Sequence, residues 1–396
     1  MTGLSRRLPQ HALPNTITQR LQAMEAAGTP IVDLTESNPT KVGLTYPAGL
    51  LSSLSSEAAK TYAPDPLGLP SARTAVAADC ARRGKAVDAG RVVLSASSSE
   101  SYSWLFKLLC DPGDRVLVPR PSYPLFDHLA RLEAIEVDTW ALEYHRRWEV
   151  DLASVECGIT ARTKVVVVVS PNNPTGSYLS AAEADGLIAL TASHGLTLVV
   201  DEVFADYGLE RGAASVTDIA ARASGHLNAL VVSLGGLSKS VALPQLKLGW
   251  MVLGGSDDRV AEARSGLELI ADSYLSVSMP VQVAAPTLLS AGAEVRRQIQ
   301  DRTRGNLEVL RDVARHYPAC DILPVEGGWS AIVRVPATLG EEQLVLNLLE
   351  QEHVLVHPGY FFDLPHEAYL VVSLLPECRV FNYAAQRVLA ASTRGL

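Results

Sequence analysis

From about residue 90 to 255, short β-branched runs alternate with amphipathic stretches, and this alternation dominates the chain. The runs 91–96, 115–119, 136–142, 164–170, 196–201, 229–234 and 250–254 read as strands. Val165 to Val169 are all valine, so this strand has no polar face and must be covered on both sides, as in a mostly parallel sheet. Between strands, 99–110 and 180–194 carry helical patterning, the second with Ser180 as its N-cap candidate. Further on, 294–317 is charged and amphipathic enough for a long connecting helix. The runs 327–329, 331–335, 354–356 and 369–374 read as strands of a second unit. The expected architecture is α/β, a large domain with a mostly parallel seven-stranded sheet plus a smaller α+β domain. Its expected divisions are an N-terminal segment 1–48 packing with the small domain, a large domain 49–290 and a C-terminal small domain 291–396.

Composition narrows the function. With 396 residues, 47% of them hydrophobic, the chain has ample material for two packed cores. Its net charge of −9 comes without an acidic block or a basic patch, which argues against nucleic acid as a partner. The five cysteines are scattered and form no C-x-x-C pair, a pattern of reduced thiols and not of a disulfide framework or zinc site. The first residues lack an apolar leader core, and no apolar run approaches the roughly 18 residues that span a bilayer. The expectation is a cytoplasmic protein with no membrane partner and no metal.

Three residues carry the chemistry. Lys239 follows a predicted strand and the turn Gly235-Gly236, where the carboxyl ends of sheet strands bind ligands. A lone Ser-Lys pair would be an ordinary surface lysine. Upstream, however, Asp201 closes an apolar run, where an unpaired carboxylate is costly and calls for a cation. Asn173 stands in the turn Ser170-Pro-Asn-Asn-Pro-Thr-Gly176. A lysine amine, a carboxylate for a protonated pyridine nitrogen and a turn amide are the minimum kit for holding pyridoxal phosphate as an electron sink. For the phosphate, Ser97 and Ser98 lie where a strand meets a helix start, and Lys247 offers a positive charge. Tyr123, just past a strand end, can stack on the ring. Nucleotide readings fail, because no G-x-G-x-x-G follows a strand and Gly236-Leu-Ser-Lys-Ser240 lacks the glycine before lysine of a P-loop. A G-x-S-x-G hydrolase elbow is missing too.

With these motifs in this order, the chain resembles the fold-type I pyridoxal-phosphate enzymes of the class I/II aminotransferase family over roughly residues 30 to 390. The resemblance implies that Lys239 is the Schiff-base lysine and Asp201 the partner of the pyridine nitrogen. It assigns Asn173 to the ring 3-oxygen, Tyr123 to stacking, and Ser97 with Ser98 to the phosphate loop. Tyr62 resembles the family tyrosine that reaches the phosphate in the neighbouring subunit, so a homodimer with composite sites is implied. Lys247 stands where the family usually has arginine, and Phe204 where a tyrosine often bonds the 3-oxygen.

The largest departure is in Tyr369-Leu-Val-Val-Ser-Leu-Leu-Pro376, where Val371 occupies the place of the arginine that usually clamps the substrate α-carboxylate. Lys41, Arg120, Arg334 and His357 are candidate replacements, and Asn38 and Trp329 are further candidates for the substrate pocket. Alternatively, the donor is an amine or a modified amino acid without a conventional carboxylate contact. The expected activity is an aminotransferase moving an amino group between an amino acid or amine and an oxo acid. A lyase, racemase or decarboxylase using the same cofactor is the second expectation, and a non-catalytic cofactor-binding regulator the third.

Overall fold

The five valines lie near the middle of an eight-stranded sheet in the computed structural model, which describes residues 3, 5–9, 13–209, 218–366 and 368–394. Met1, Thr2 and Leu4, part of the leader reading above, lie outside the described residues. In chain order the strands are β1 (Val32–Asp33), β2 (Val92–Ser95), β3 (Arg115–Arg120), β4 (Glu136–Tyr144), β5 (Trp148–Val150), β6 (Thr163–Val169) and β7 (Thr197–Asp201). They continue as β8 (Leu230–Gly236), β9 (Gly249–Gly255), β10 (Asp321–Ile322), β11 (Ser330–Arg334), β12 (Val354–Leu355), β13 (His357–Pro358) and β14 (Tyr369–Ser373). The large sheet has the order β2-β9-β8-β7-β6-β3-β4-β5.

All seven strands expected in this sheet are present. The eighth, β5, is a three-residue return after Arg146 (φ 70°) that pairs Trp148 with Tyr144, too short to leave a period in the sequence. Helices cover both faces, so Val165, Val167 and Val169 enter one apolar cluster while Val166 and Val168 enter another.

Topology gathers the site. Strands β3, β4, β6, β7 and β8 are mutually parallel, so their carboxyl ends share one edge. Strand β9 runs antiparallel to β8 and β2 antiparallel to β9, which brings the start of β9 and the end of β2 to that same edge, with Ser95 opposite Gly249. Tyr123, the 170–176 turn, Asp201, Lys239, Lys247 and the 96–98 loop therefore emerge together, as ligand-binding loops of α/β sheets do.

A second sheet, β10-β11-β14-β13, is antiparallel, and β1 pairs in parallel with β12 beside it. Ile17 and Met24 of the first helix, Thr16–Ala26, pack into the same cluster as the C-terminal helix Cys378–Ser392.

Two element readings need correction. The long helix is Met279–Ala314, starting well before residue 294. Pro280 sits in its first turn, where no backbone donor is needed, and Val281, Ala285 and Leu288 continue the buried face. The segment 327–329 is not a strand: Gly327 makes an isolated antiparallel bridge with Gly208 and the chain then bends, with Gly327 N–H donating to Gly176 O at 2.9 Å and Gly328 at φ 88°. Gly176 itself has φ 69°, and a Cβ there would lie 2.5 Å from Gly327 O, so this contact requires glycine. Among the described residues no helix is long and apolar enough to cross a membrane.

Candidate active site

Lys239 lies in the short helical turn Leu237–Ser240 directly after β8. Its amine is 3.5 Å from Ser37 O, 4.8 Å from the Trp329 ring centroid and 5.4 Å from that of Phe204. The two rings meet edge to face and strip water from the amine, an environment that disfavours the ammonium form. Burial pulls the Lys239 pKa down to about 8, while the negative charges of Asp201 and Glu36 partly oppose that shift. The turn is braced from below: Tyr207 donates its hydroxyl to Lys239 O, and Arg296 donates to Ser240 O at 3.3 Å.

Asp201, the last residue of β7, is buried. One carboxylate oxygen accepts from Val203 N–H at 3.1 Å and the other from the Tyr102 hydroxyl at 3.1 Å. Burial raises its pKa to about 6, against the lowering effect of those two donors and of Lys239. Tyr102 is pushed well above the usual phenol range by burial and by the Asp201 charge, so it stays protonated as a donor. Asp201 makes no salt bridge with a side chain among the described residues. A buried carboxylate with hydrogen bonds but no cation fits a protonated ring nitrogen.

Asn173 Oδ1 accepts from Ser330 Oγ at 3.4 Å, which puts the 170–176 turn beside Trp329. Its neighbour Asn172 is structural, bonded to Pro121 O and Thr175 Oγ1. Ser97 caps the helix Ser98–Leu109 by accepting from Glu100 N–H at 3.2 Å. Glu100 returns the bond by accepting from Ala96 N–H at 2.5 Å and also accepts from Ser276 Oγ. A Cβ on Gly249 would meet the Ser97 carbonyl carbon at 2.8 Å, so glycine lets β9 pass close behind this loop. The helix start, with Ser98 in its first turn, is a cradle suited to an anion.

Some expected residues share the edge without touching this cluster. Lys247 is exposed, with φ 53° at the end of the turn Pro244–Leu246. Tyr123 is exposed beyond β3. Tyr62, 74% exposed, lines a separate cleft with Pro64, Trp104 and Ser276. Asn38 spends its side-chain oxygen on Thr40, and Lys41 is exposed next to it. Two of the candidate cations are engaged elsewhere, Arg120 with Asp363 at 3.2 Å and Arg334 with Asp321 at 2.9 Å. His357 lies against Phe361 and Phe362, and burial holds it below its usual range, so near neutral pH it offers a hydrogen bond instead of a charge.

Tyr102, Tyr207, Arg296, Ser330 and Glu36 contact or adjoin this cluster and were not picked out by the sequence reading. Tyr102 had only helical spacing to mark it, which equally describes a core tyrosine.

The family described as "Aminotransferase class I and II" matches residues 33–380. An alanine aminotransferase of Mycobacterium tuberculosis is 28% identical over 94% of this chain and 88% of its own length. A glutamate-pyruvate aminotransferase of Escherichia coli K12 is 26% identical over 91% of this chain and 90% of its own. The fold is shared with an alanine aminotransferase from Pyrococcus furiosus, with a TM-score of 0.86, 22% identity and 98% of each chain covered. With a family match running nearly the length of the chain over these residues, the protein belongs to the class I and II aminotransferases, enzymes that depend on pyridoxal phosphate.

Proposed function

We propose that Lys239 is the catalytic lysine of a transaminase that moves an amino group from a donor amine or amino acid to an oxo acid. The observation that carries this reading is a single strand edge presenting a desolvated amine, with its pKa lowered to about 8, together with a buried carboxylate that makes no side-chain salt bridge among the described residues. Bound there, pyridoxal phosphate supplies an electron sink for the charge left when the donor carbon loses its proton. Asp201 holds the protonated ring nitrogen, and Tyr102 with Val203 N–H fixes the carboxylate. Asn173 faces the ring 3-oxygen, the 97–98 helix start with Lys247 takes the phosphate, and Tyr123 covers the ring. Lys239 Nζ, whose pKa is lowered to about 8 so that far more of it is neutral at pH 7 than of an ordinary lysine, takes the proton from the donor carbon and later returns it.

Tyr62 is exposed and lines a cleft with Trp104 and Ser276 that does not include Lys239, which supports its reaching the site of a second copy in a homodimer. An enzyme family leaves the regulator reading without support. Elimination and decarboxylation rested on Val371 alone, and that departure bears on substrate choice instead.

The test is a half-reaction. Purified protein loaded with pyridoxal phosphate is mixed with a panel of amino acids and amines without any oxo acid. At least one donor should convert the cofactor to its pyridoxamine form, and Lys239→Ala should abolish the conversion. Conversion that survives Lys239→Ala sinks the assignment.

A further inference from the structure

The helix that carries Lys239, Leu237–Ser240, is a single turn, and a single turn has little stability of its own. The carbonyls at its end have no following turn to donate to them. Three side chains from distant elements supply donors instead. Tyr207, in the loop after β7, donates its hydroxyl to Lys239 O, and Arg296 of the helix Met279–Ala314 donates to Ser240 O at 3.3 Å. Tyr46, from the N-terminal segment, donates its hydroxyl to Ala242 O at 2.7 Å. Ala242 lies at φ 57°, a left-handed conformation that is costly for alanine and persists because its surroundings fix it. The long helix also lays its backbone against the turn, since a Cβ on Gly292 would lie 2.0 Å from the Val241 side chain.

Tyr207 is the brace on the lysine itself. It is fully buried, and its ring meets Trp329 edge to face with centroids 5.0 Å apart. The Lys239 amine lies 4.8 Å from that same indole ring, so Tyr207 locates both the lysine backbone and the wall beside its side chain. Burial and the charge of Asp206 keep the Tyr207 phenol well above its ordinary range, so it remains a donor. Arg82 donates to Asp206 at 2.5 Å and to Asp79 at 3.1 Å, and the same Asp79 oxygen lies 3.8 Å from Arg296. The Tyr207 and Arg296 braces are thereby tied to each other.

We propose that Tyr207 is a positioning residue for the proton transfer that Lys239 performs, holding the lysine backbone so that its amine meets the donor carbon, with Arg296 and Tyr46 steadying the same turn. The inference rests on the transaminase reading. In this step the donor C–H bond breaks and an N–H bond forms on Lys239, while the electron pair left on carbon passes into the bound ring. Such a transfer depends steeply on placement, and Tyr207 acts on it only through Lys239 O.

The test uses Tyr207→Phe, which removes one hydroxyl and keeps the ring on Trp329, with Thr303→Val as its control. Thr303, on the long helix, is equally buried and donates to Ile299 O at 2.9 Å, so that variant loses a comparable bond away from the turn. In the cofactor-free proteins, amide hydrogen exchange is followed by mass spectrometry on the peptide covering 237–243, where Ala242 N–H donates to Lys239 O. Exchange there should quicken about tenfold in Tyr207→Phe beyond any change elsewhere in the chain, the scale of one hydrogen bond, and Thr303→Val should show no such local change. In the cofactor-loaded proteins, single-turnover conversion by L-alanine and by L-glutamate should saturate at a rate about tenfold lower in Tyr207→Phe, with little change in the half-saturating donor concentration. The isotope effect with α-deuterated donor should be at least that of the natural chain, and Thr303→Val should match the natural chain in rate and isotope effect. Unchanged exchange in the turn, a saturating rate equal to the natural one, or a lowered rate whose isotope effect falls, overturns the proposal. If neither donor reacts with the natural chain, the transaminase reading fails for both, while exchange in the turn still upholds or overturns the bracing by Tyr207.

Discussion

Removing the Tyr102 hydroxyl isolates one term of the site's electrostatics. Tyr102→Phe keeps the ring and its packing against Phe106 and Phe126 but leaves one oxygen of Asp201 without its donor. A hydrogen bond to a charged group contributes about 1.5–3 kcal/mol, and about 1.4 kcal/mol corresponds to one pKa unit, so Asp201 should rise from about 6 to about 7–8. The consequence is visible in the protein without cofactor. In the unfolded chain Asp201 ionises near 3.8, so between there and pH 6 the native state holds more protons and stability falls as pH rises, by about 3 kcal/mol. In Tyr102→Phe this loss should continue to about pH 7–8. Urea denaturation of the cofactor-free proteins should therefore show a small gap between natural chain and variant at pH 5, and a gap of about 1.5–3 kcal/mol at pH 8. A gap equal at both pH values would mean that the hydroxyl acts through packing alone and would refute the reasoning.

Other perturbations report on neighbouring parts. The buried ion pair of Lys85 with Glu202, next to Asp201, should make Lys85→Met cost about 3–5 kcal/mol in urea denaturation, because an uncompensated carboxylate is left inside. Gly249→Ala places a methyl 2.8 Å from the Ser97 carbonyl carbon, so the 96–98 loop must shift. Cofactor dissociation measured by absorbance should weaken by about tenfold, with a stability loss of about 1–3 kcal/mol. Because burial disfavours its ammonium form, Lys239 in the cofactor-free protein should reach half-maximal acetylation by acetic anhydride near pH 8, where an ordinary lysine requires pH near 10.5. Titration near 10.5 would contradict the desolvated environment.

How much of this was legible in the sequence depends on range. Val165 to Val169 announce a strand covered on both faces without further information, and the run ending at Asp201 places that carboxylate at a strand end. The order Asn173, Asp201, Lys239 on successive βα crossings is a local signal, and parallel pairing is enough to bring the three to one edge. Tyr102 and Glu36 were not legible. Each acts on a partner about a hundred or more positions away, Tyr102 on Asp201 and Glu36 on Lys239 and Ser373, and no periodicity encodes such a meeting. The helix Met279–Ala314 was expected only from residue 294, where charged amphipathic patterning begins; Pro280 lies in its first turn and Pro286 inside it, and burial of Val281, Ala285 and Leu288 sustains the earlier turns. Strand β5 and the bend at 327–329 depend on contacts with Tyr144 and Gly176 that only the folded chain supplies.

The central claim, that Lys239 is the lysine that bonds the cofactor, has a direct measurement. The purified protein is loaded with pyridoxal phosphate, reduced with borohydride, digested and mapped by mass spectrometry. The account predicts the pyridoxyl mass on the peptide bearing Lys239, with none on Lys247 or Lys41 and with labelling lost in Lys239→Ala. Label on another lysine, or a loaded protein that borohydride leaves unmodified, would contradict it.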